Sequence, residues 1–319
     1  MIDPIPSGTR DVLPDEMREI RAITEQVRGV FDTRGYGEVA TPALEYETTL
    51  ARGDAAAAEP AYRLFDESGN VLVLRSDMTI PIARVVATRY ATSAPPLRFC
   101  YFAHAYRSVR PQRGQAREML QAGIELVGAP GPDGTIEAIE VLCEVLDSVG
   151  LDSYRVGLGD ASLYPALLDA LGVPAAARAP ILNALVARDF VGLEREIEGL
   201  GLADAASDLL LRVPQLRGGP EVLELPAGPG ADVVGRLKRI HEGLAPAVAD
   251  RIIFDLGLSR SLGYYTGAIF EVYDGALGVP LGGGGRYDEL LARFGRDLPA
   301  CGWALNVERL HLARVGEGR

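Results

Sequence analysis

Residues 97–127 read LRFCYFAHAYRSVRPQRGQAREMLQAGIELV, and this stretch decides the fold. Two apolar runs, at 97–106 and 120–127, flank a loop that is rich in arginine and glutamine. Apolar runs of this length on either side of a polar loop are typical of paired strands. The stretch therefore predicts an antiparallel hairpin.

Helices and strands are predicted on both sides of this hairpin. An amphipathic helix is predicted over 15–35, because apolar residues recur every three or four positions and acidic residues stand at its start. A second helix is predicted over 135–149, where Gly150 follows the last apolar residue. Short strands are predicted at 71–74 and 154–158.

The composition changes in the second half of the chain. Residues 161–248 are rich in alanine and leucine and are interrupted by glycine and proline, which predicts a helical insertion. We expect residues 1–160 and 249–319 to form one core around it. Strand-like sequence resumes after the insertion, and strands that return after a block of helices favour an α+β fold with a mainly antiparallel sheet flanked by helices.

The glycine run at 282–285 interrupts these later strands. It lacks the Lys-Ser/Thr of a P-loop and the spacing of a dinucleotide fingerprint, so we interpret it as a tight turn between a strand and a helix. The remaining elements predicted here are strands at 251–256, 264–273 and 301–305, a helix from Tyr287 and a closing helix.

The composition also limits the classes of function. The formal net charge is -12, and an acidic surface repels phosphate backbones, so no nucleic-acid partner is expected. The cysteines and histidines are scattered without metal-ligand spacing, so we expect no disulfide framework, metal or cofactor. The first residues do not resemble a targeting signal, and no apolar run is long enough to span a membrane. We expect a cytoplasmic protein without a membrane partner.

Four arginines stand in or beside the hairpin loop: Arg107, Arg110, Arg113 and Arg117. A guanidinium group pairs with two oxygens at once and keeps its charge, so such a loop suits the binding of a carboxylate or a phosphate. A solvated hairpin tip without a ligand is the alternative.

Two further pairs of residues are candidates for a site. Gln121 and Glu125 lie four residues apart, which places them on one face of a strand, where an amide beside a carboxylate is able to bind an ammonium group. An exposed sheet face is the alternative. Tyr264 and Tyr265 point to opposite faces if they lie in a strand, so at most one is expected to face a pocket.

Several motifs, in order, resemble those of class II histidyl-tRNA synthetases. The resemblance runs through nearly the whole chain, and its independent matches make it more specific than a single motif. It implies a class II synthetase-like core. The matching segments are 7–11 at the opening, 35–42 with the dimer-forming motif 1, 107–112 with motif 2, 121–125 with the strand that follows it, 260–266 with the histidine-specific segment, 284–288 with the glycine turn, and Glu308 with Arg309 at the end of motif 3.

The chain departs from the synthetases mainly where they bind nucleotide. Val109 stands where they carry a glutamate, Gln115 where they carry an arginine, and Asn306 where a glycine leaves room for adenine. Residues 76–79 replace Pro-Glu-Gly-Thr but keep an acid. The sequence also ends at Arg319, without the anticodon-binding domain of the synthetases. This combination resembles the ATP phosphoribosyltransferase regulatory subunits, which are synthetase-like paralogues.

That resemblance implies a non-catalytic protein that forms a dimer. It implies activation of a short-form ATP phosphoribosyltransferase in the first step of histidine biosynthesis, and feedback inhibition by histidine. The acidic, amide and hydroxyl groups would hold the ammonium group of histidine, the arginines would face its carboxylate, and tyrosine would line the imidazole pocket. The histidine-binding residues implied in this way are Asp77, Thr79, Arg107, Gln121, Glu125, Arg260, Tyr264 and Tyr265.

Two other functions stay open on the sequence alone. Arg107, Arg260, Glu308 and Arg309 are all present, which is compatible with an enzyme that activates histidine and forms histidyl-adenylate. A modifying enzyme or a tRNA-interacting paralogue would suit the same scaffold, because a fold alone does not fix a function.

Overall fold

The computed structural model of the chain describes residues 5–53, 61–108, 116–224, 228, 230–259 and 262–318. The strands are β1 (Gly37–Glu38), β2 (Leu44–Tyr46), β3 (Arg63–Phe65), β4 (Val71–Leu74), β5 (Leu97–Tyr106), β6 (Glu118–Val127), β7 (Arg155–Asp160), β8 (Arg217–Gly218), β9 (Ile252–Asp255), β10 (Ala268–Tyr273), β11 (Gly282–Arg286) and β12 (Ala300–Asn306). The α-helices are α1 (Pro14–Thr33), α2 (Glu47–Gly53), α3 (Thr79–Arg89), α4 (Asp133–Ser148), α5 (Leu163–Ala170), α6 (Ala175–Ala187), α7 (Phe190–Glu198), α8 (Asp204–Arg212), α9 (Ala231–Gly243), α10 (Pro246–Ala249) and α11 (Val307–Gly316).

The predicted hairpin is confirmed, because β5 and β6 pair antiparallel, with Phe99 opposite Glu125 and Ala103 opposite Gln121. The hairpin lies in a nine-stranded sheet of order β1-β5-β6-β12-β11-β10-β7-β9-β8. The expectation of a mainly antiparallel sheet is corrected. The sheet is mixed, since β1 runs parallel to β5 and β7 runs parallel to β9.

The region 161–248 contains helices α5 to α9 but is not purely helical. Its short strand β8 pairs antiparallel with β9, so this region adds the last strand to the edge of the large sheet. The guanidinium group of Arg217, the first residue of this strand, pairs with the buried Asp255 carboxylate of β9. The insertion is therefore attached to the core by a backbone ladder and by an ion pair.

The prediction of a glycine turn at 282–285 is wrong. These glycines form most of strand β11, which pairs with β10 and β12 in the middle of the sheet. At Gly284 a Cβ atom would stand 2.0 Å from the carbonyl oxygen of Gly302, so the close approach of the strands requires glycine. No α-helix begins at Tyr287, which is followed by a short 3-10 helix at Leu291–Phe294.

The back face of the large sheet carries the main apolar core. Side chains of α1 and α4 pack there against β5, β6 and β12, where Cys100, Ile124 and Trp303 are buried. The ring of Phe31 lies 5.8 Å from the ring of Trp303, whose indole nitrogen donates a hydrogen bond of 2.9 Å to the Ala138 carbonyl oxygen. The amphipathic patterns predicted for these two helices are confirmed by their buried faces.

The front face of the same sheet carries glycines, which leave space above the strands. Side chains alternate between the two faces of a sheet, so Gly123 and Glu125 of β6 are on the front face while Ile124 is on the back face. On β12, Gly302 stands opposite Glu125. The ring of Tyr101 lies over Gly123, where a Cβ atom would stand 2.5 Å from its hydroxyl oxygen. The front face therefore has space for buried polar groups.

Helix α3 connects this front face with a second sheet of three strands in the order β2-β4-β3. Arg84 of α3 donates hydrogen bonds of 3.0 and 3.1 Å to the buried carboxylate of Glu45 in β2. None of the helices in the described ranges combines the length and the apolar character that a membrane span requires.

We predict that Gly123→Ala destabilises the fold by roughly 1–3 kcal/mol, because the added methyl group overpacks a closed site. Its Cβ atom would stand 2.3 Å from the Trp303 carbonyl oxygen. Gly29→Ala in α1 is the matched control, since nothing lies within 4 Å of its Cβ position and alanine favours a helix by about 0.5–1 kcal/mol. Urea unfolding measures both changes. Equal stability of Gly123→Ala and the unmodified protein would contradict the packing described here.

Candidate functional site

The carboxyl group of Glu125 lies at the centre of the front face and is 1% exposed. Thr79 donates a hydrogen bond of 2.7 Å to its Oε1 atom, and the Tyr287 hydroxyl donates to Oε2. A Cβ atom on Gly302 would stand 2.0 Å from Oε2, so only glycine leaves room there. Burial raises the pKa of Glu125 to about 8, and the Asp77 carboxyl acts in the same direction, although both hydrogen bonds oppose this shift.

Asp77 is a second buried carboxyl group beside Glu125. It lies just before α3, where its Oδ1 atom accepts a hydrogen bond of 3.0 Å from the backbone nitrogen of Ile80. Burial raises the pKa of Asp77, while this hydrogen bond and the positive charge of Arg107 lower it. A residue that caps a helix start is held in one orientation, so Asp77 is a fixed part of the site.

Three tyrosine rings pack together next to these carboxyl groups. The ring of Tyr264 lies 4.9 Å from that of Tyr265 and 5.7 Å from that of Tyr287. The strand predicted at 264–273 begins only at Ala268, so Tyr264 and Tyr265 lie before it and the alternation of a strand does not apply to them. Their rings form one aromatic wall with Tyr287.

Gln121 lies on the same face of β6 as Glu125, with Gly123 between them. It stands opposite Ala103 of β5 and Asn306 of β12. Its side-chain oxygen is buried and accepts no hydrogen bond from any described residue. A buried acceptor without a donor costs about 1–3 kcal/mol. A ligand with an N–H or O–H group would recover this free energy.

Arg107 lies directly after β5 at the open end of the site. Its backbone nitrogen donates a hydrogen bond of 2.9 Å to the Arg117 carbonyl oxygen, and the residue lines a cavity of about 470 Å³ together with Glu271. Burial lowers the pKa of Arg309, and the charge of Arg107 lowers it further. Two cationic groups therefore lie near each other beyond the buried carboxyl groups.

The structure brings together Asp77, Thr79, Glu125, Tyr264 and Tyr265, as the sequence predicted for one site. Gln121 and Arg107 lie at its margins. Arg260 lies outside the described residues, and so do the other predicted members of the loop, namely Val109, Arg110, Arg113 and Gln115.

Sequence reasoning missed Tyr287, Tyr101 and Gly302 as members of the site. Tyr101 is 1% exposed, and burial together with the Glu125 and Asp77 carboxyl groups raises its pKa well above the ordinary value. Its position in the alternating pattern of β5 could have identified it. The partnership of Tyr287 with Glu125 spans 162 residues and leaves no local signal.

The groups at this site are hydrogen-bond acceptors and aromatic rings. The carboxyl groups of Asp77 and Glu125 and the Thr79 hydroxyl lie together, with the Gln121 amide at the margin. Such acceptors suit a group with several N–H donors, and aromatic rings suit a flat side chain. The described residues contain no group of three or more histidine, cysteine or acidic side chains placed to hold a metal ion.

Comparison with known proteins extends these observations. A family model described as Histidyl-tRNA synthetase matches residues 8–310. An ATP phosphoribosyltransferase regulatory subunit from Symbiobacterium thermophilum is 41% identical over 321 residues, which cover 98% of this chain and 80% of the relative. A protein of the same name from Moorella thermoacetica is 41% identical over 317 residues, which cover 97% of this chain and 82% of the relative.

Solved structures agree with the sequence relatives. An ATP phosphoribosyltransferase regulatory subunit/histidyl-tRNA synthetase from Bacillus halodurans C has a TM-score of 0.88 and 32% identity, covering 98% of this chain and 84% of that one. A histidyl-tRNA synthetase from Nostoc sp. PCC 7120 has a TM-score of 0.80 at 21% identity over 100% of this chain and 76% of that one, which shows a shared fold. The resemblance predicted from the motifs is confirmed. The chain belongs to the family of ATP phosphoribosyltransferase regulatory subunits, and its fold is that of class II histidyl-tRNA synthetases.

Proposed function

We propose that this protein binds free histidine at the Glu125 site and regulates a short-form ATP phosphoribosyltransferase, which carries out the first step of histidine biosynthesis. The observation that carries the proposal is the cluster of Asp77, Thr79 and Glu125 beside three tyrosine rings, with the unpaired Gln121 oxygen at its margin. The family to which the chain belongs supplies the partner and the regulatory role.

The ammonium group of histidine is the ligand group that best matches the buried end of the site. It has a positive charge and three N–H donors, whereas Glu125, Asp77 and Gln121 offer negative charge and acceptors. A charge-assisted hydrogen bond contributes about 1.5–3 kcal/mol, so two or three such bonds give useful affinity for a metabolite.

The other two groups of histidine fit the remaining parts of the site. Arg107 stands at the open end and would face the carboxylate, and Arg260 would share this role. The imidazole ring would lie against the aromatic wall of Tyr264 and Tyr265, whose ring centroids are 4.9 Å apart. A flat ring that packs against aromatic side chains gains both burial and favourable ring contacts.

Histidine would regulate the catalytic subunit if the histidine-bound and histidine-free forms of this chain bind that subunit with different affinities or in different arrangements. A coupling free energy of about 1–3 kcal/mol between two sites changes an affinity by about 5-fold to 150-fold. In this proposal the phosphoribosyl transfer takes place on the partner, and the present chain is a non-catalytic dimer in the cytoplasm. We propose no nucleic-acid partner.

A second candidate function is the formation of histidyl-adenylate. Arg107 and Arg309 lie near each other, and two cationic groups are able to bind the phosphates of a nucleotide. Glu308 accepts a hydrogen bond of 3.4 Å from the backbone nitrogen of Leu120. Asn306 fills the end of β12, where its side chain caps α11 by accepting a hydrogen bond of 2.9 Å from the Arg309 backbone nitrogen. Pyrophosphate exchange that depends on histidine and ATP, at the rate of a synthetase, would establish this function instead.

We predict that Glu125→Gln weakens histidine binding by at least tenfold, because the amide keeps the shape of the side chain but removes its charge. Glu125→Ala should abolish binding and leave the dimer intact. Isothermal titration calorimetry measures the affinities. The matched control is Glu289→Gln, which changes an exposed carboxylate near the site and should bind like the unmodified protein. Unchanged affinity of the Glu125→Gln protein would exclude this residue from the ammonium site.

We predict that the affinity for histidine rises between pH 6 and pH 8. The ligand-free protein keeps a proton on Glu125 up to a pKa of about 8, whereas a bound ammonium group favours the ionised carboxylate. Binding below this pH must therefore release a proton, and the affinity gains up to about tenfold per pH unit.

Calorimetry in buffers with different ionisation enthalpies counts the released protons. Because the imidazole of histidine also titrates near a pKa of about 6.5, the Glu125→Gln protein serves as the reference. Its pH dependence should be weaker by the contribution of Glu125. Identical pH profiles for the two proteins would contradict a proton on this carboxyl group.

We predict that the chain forms a complex with a short-form ATP phosphoribosyltransferase and raises its activity. Histidine should then inhibit the complex formed with the unmodified protein, while the complex formed with the Glu125→Gln protein should keep its activity at the same histidine concentration. Absence of both a complex and stimulation would remove the regulatory proposal. Stimulation with equal inhibition of both complexes would place the regulatory histidine at another site.

A further inference from the structure

A further cavity, of about 410 Å³, lies between one end of helix α9 of the insertion and residues of the core. This cavity is distinct from the Glu125 site. In two segments of the chain, one residue belongs to the Glu125 site and its neighbour lines the cavity. Tyr287 belongs to the aromatic wall on the front face, whereas Arg286 turns to the back and donates to the Thr135 hydroxyl of α4. In the same way Tyr265 lies in the aromatic wall and Thr266 lines the cavity.

Three arginines line this cavity, and they differ in how many hydrogen bonds they donate to the described residues. All three nitrogens of the Arg286 guanidinium donate hydrogen bonds, to Thr135, to the Ala129 carbonyl oxygen and to Asp288. The two arginines of α9 are less fully engaged.

Arg236 of α9 donates to the buried Asp160 carboxylate at 3.2 Å and to the Ser162 hydroxyl at 2.6 Å. Its Nη1 atom makes no hydrogen bond with any described residue. Arg239, one turn further on, has neither a hydrogen bond nor an ion pair within the described part of the chain. The lining therefore has three cations against two carboxylates, with unused N–H donors on α9.

We propose that this cavity binds a phosphorylated small molecule, with Arg236 and Arg239 on its phosphate group. Residues three apart on a helix share a face, so both guanidinium groups are able to reach one phosphate. Guanidinium donors match phosphate oxygens in geometry and in charge. The volume lies within the range of small-molecule sites, about 300–1,000 Å³.

The rest of the lining suits hydroxyl groups on the same molecule. Ser162 and Thr266 contribute hydroxyls, and the Asp288 carboxylate, which is 42% exposed, accepts hydrogen bonds at the cavity wall. A sugar phosphate combines one dianionic group with several hydroxyls and fits this distribution. Inorganic phosphate fits the arginines alone.

The test is a calorimetric titration of the full chain with ribose 5-phosphate, ribose and inorganic phosphate, in the absence of histidine. We expect saturable binding of ribose 5-phosphate, weaker binding of inorganic phosphate and no binding of ribose. Omitting histidine makes the result independent of the function proposed for the Glu125 site.

Two substitutions on α9 locate the binding. Arg239→Ala should weaken binding of ribose 5-phosphate by about tenfold, the loss of one charge-assisted pair. Lys238→Ala is the matched control, because it removes an equal charge from an exposed neighbour on α9 that does not line the cavity. Arg239 is exposed as well, so both proteins should keep their fold, which thermal unfolding checks.

Three results would overturn the proposal. Binding of ribose 5-phosphate that does not saturate would show that the cavity takes no such ligand. Equal weakening by Arg239→Ala and Lys238→Ala would show a general effect of surface charge. Inorganic phosphate that binds as tightly as ribose 5-phosphate would show that the hydroxyl-bearing part of the molecule is not recognised.

Discussion

A carboxyl group that is 1% exposed has to be supplied with hydrogen bonds, and the surroundings of Glu125 are arranged around this requirement. Thr79 at the start of α3 and Tyr287 after β11 donate to its two oxygens, so distant parts of the chain meet at one side chain. Gly302 on the neighbouring strand leaves the space that the carboxyl group fills. The hydrogen bonds from Thr79 and Tyr287 compensate the burial of this carboxyl group only in part, since its pKa stays raised. A nearby ammonium group would stabilise the ionised carboxylate further.

One sheet serves two purposes because its side chains alternate between two faces. The back face buries aromatic and aliphatic residues against α1 and α4 and so contributes most of the apolar core. The front face combines glycines with a few polar groups, and the tyrosine rings close it from above. The strand period of two therefore places the apolar core and the buried carboxyl group on opposite faces, so Ile124 and Glu125 are neighbours in the chain but have different surroundings.

Local patterns in the sequence predicted the elements that local forces determine. The strand at 97–106 and the helices over 15–35 and 135–149 agree closely with the structure, because their apolar spacing reports directly on a buried face. The glycine run at 282–285 was misassigned, since glycine favours turns locally but here permits the close packing of neighbouring strands. The parallel pairs of the sheet and the contact between Tyr287 and Glu125 depend on residues far apart in the chain. Sequence spacing carries no information about such contacts, so the candidate site was predicted only in part.

Strand β8 attaches the insertion to the large sheet. Because β8 continues the sheet through β9, β7 and β10, a displacement of the helical region cannot occur as a free swing on a linker. It would either tear the ladder at Arg217–Gly218 or pull the outer strands with it. The strand next in line is β11, and the chain leaves β11 directly into Tyr287. An unbroken series of strand ladders therefore links the insertion to β11, the strand that leads into Tyr287 and its hydrogen bond to Glu125.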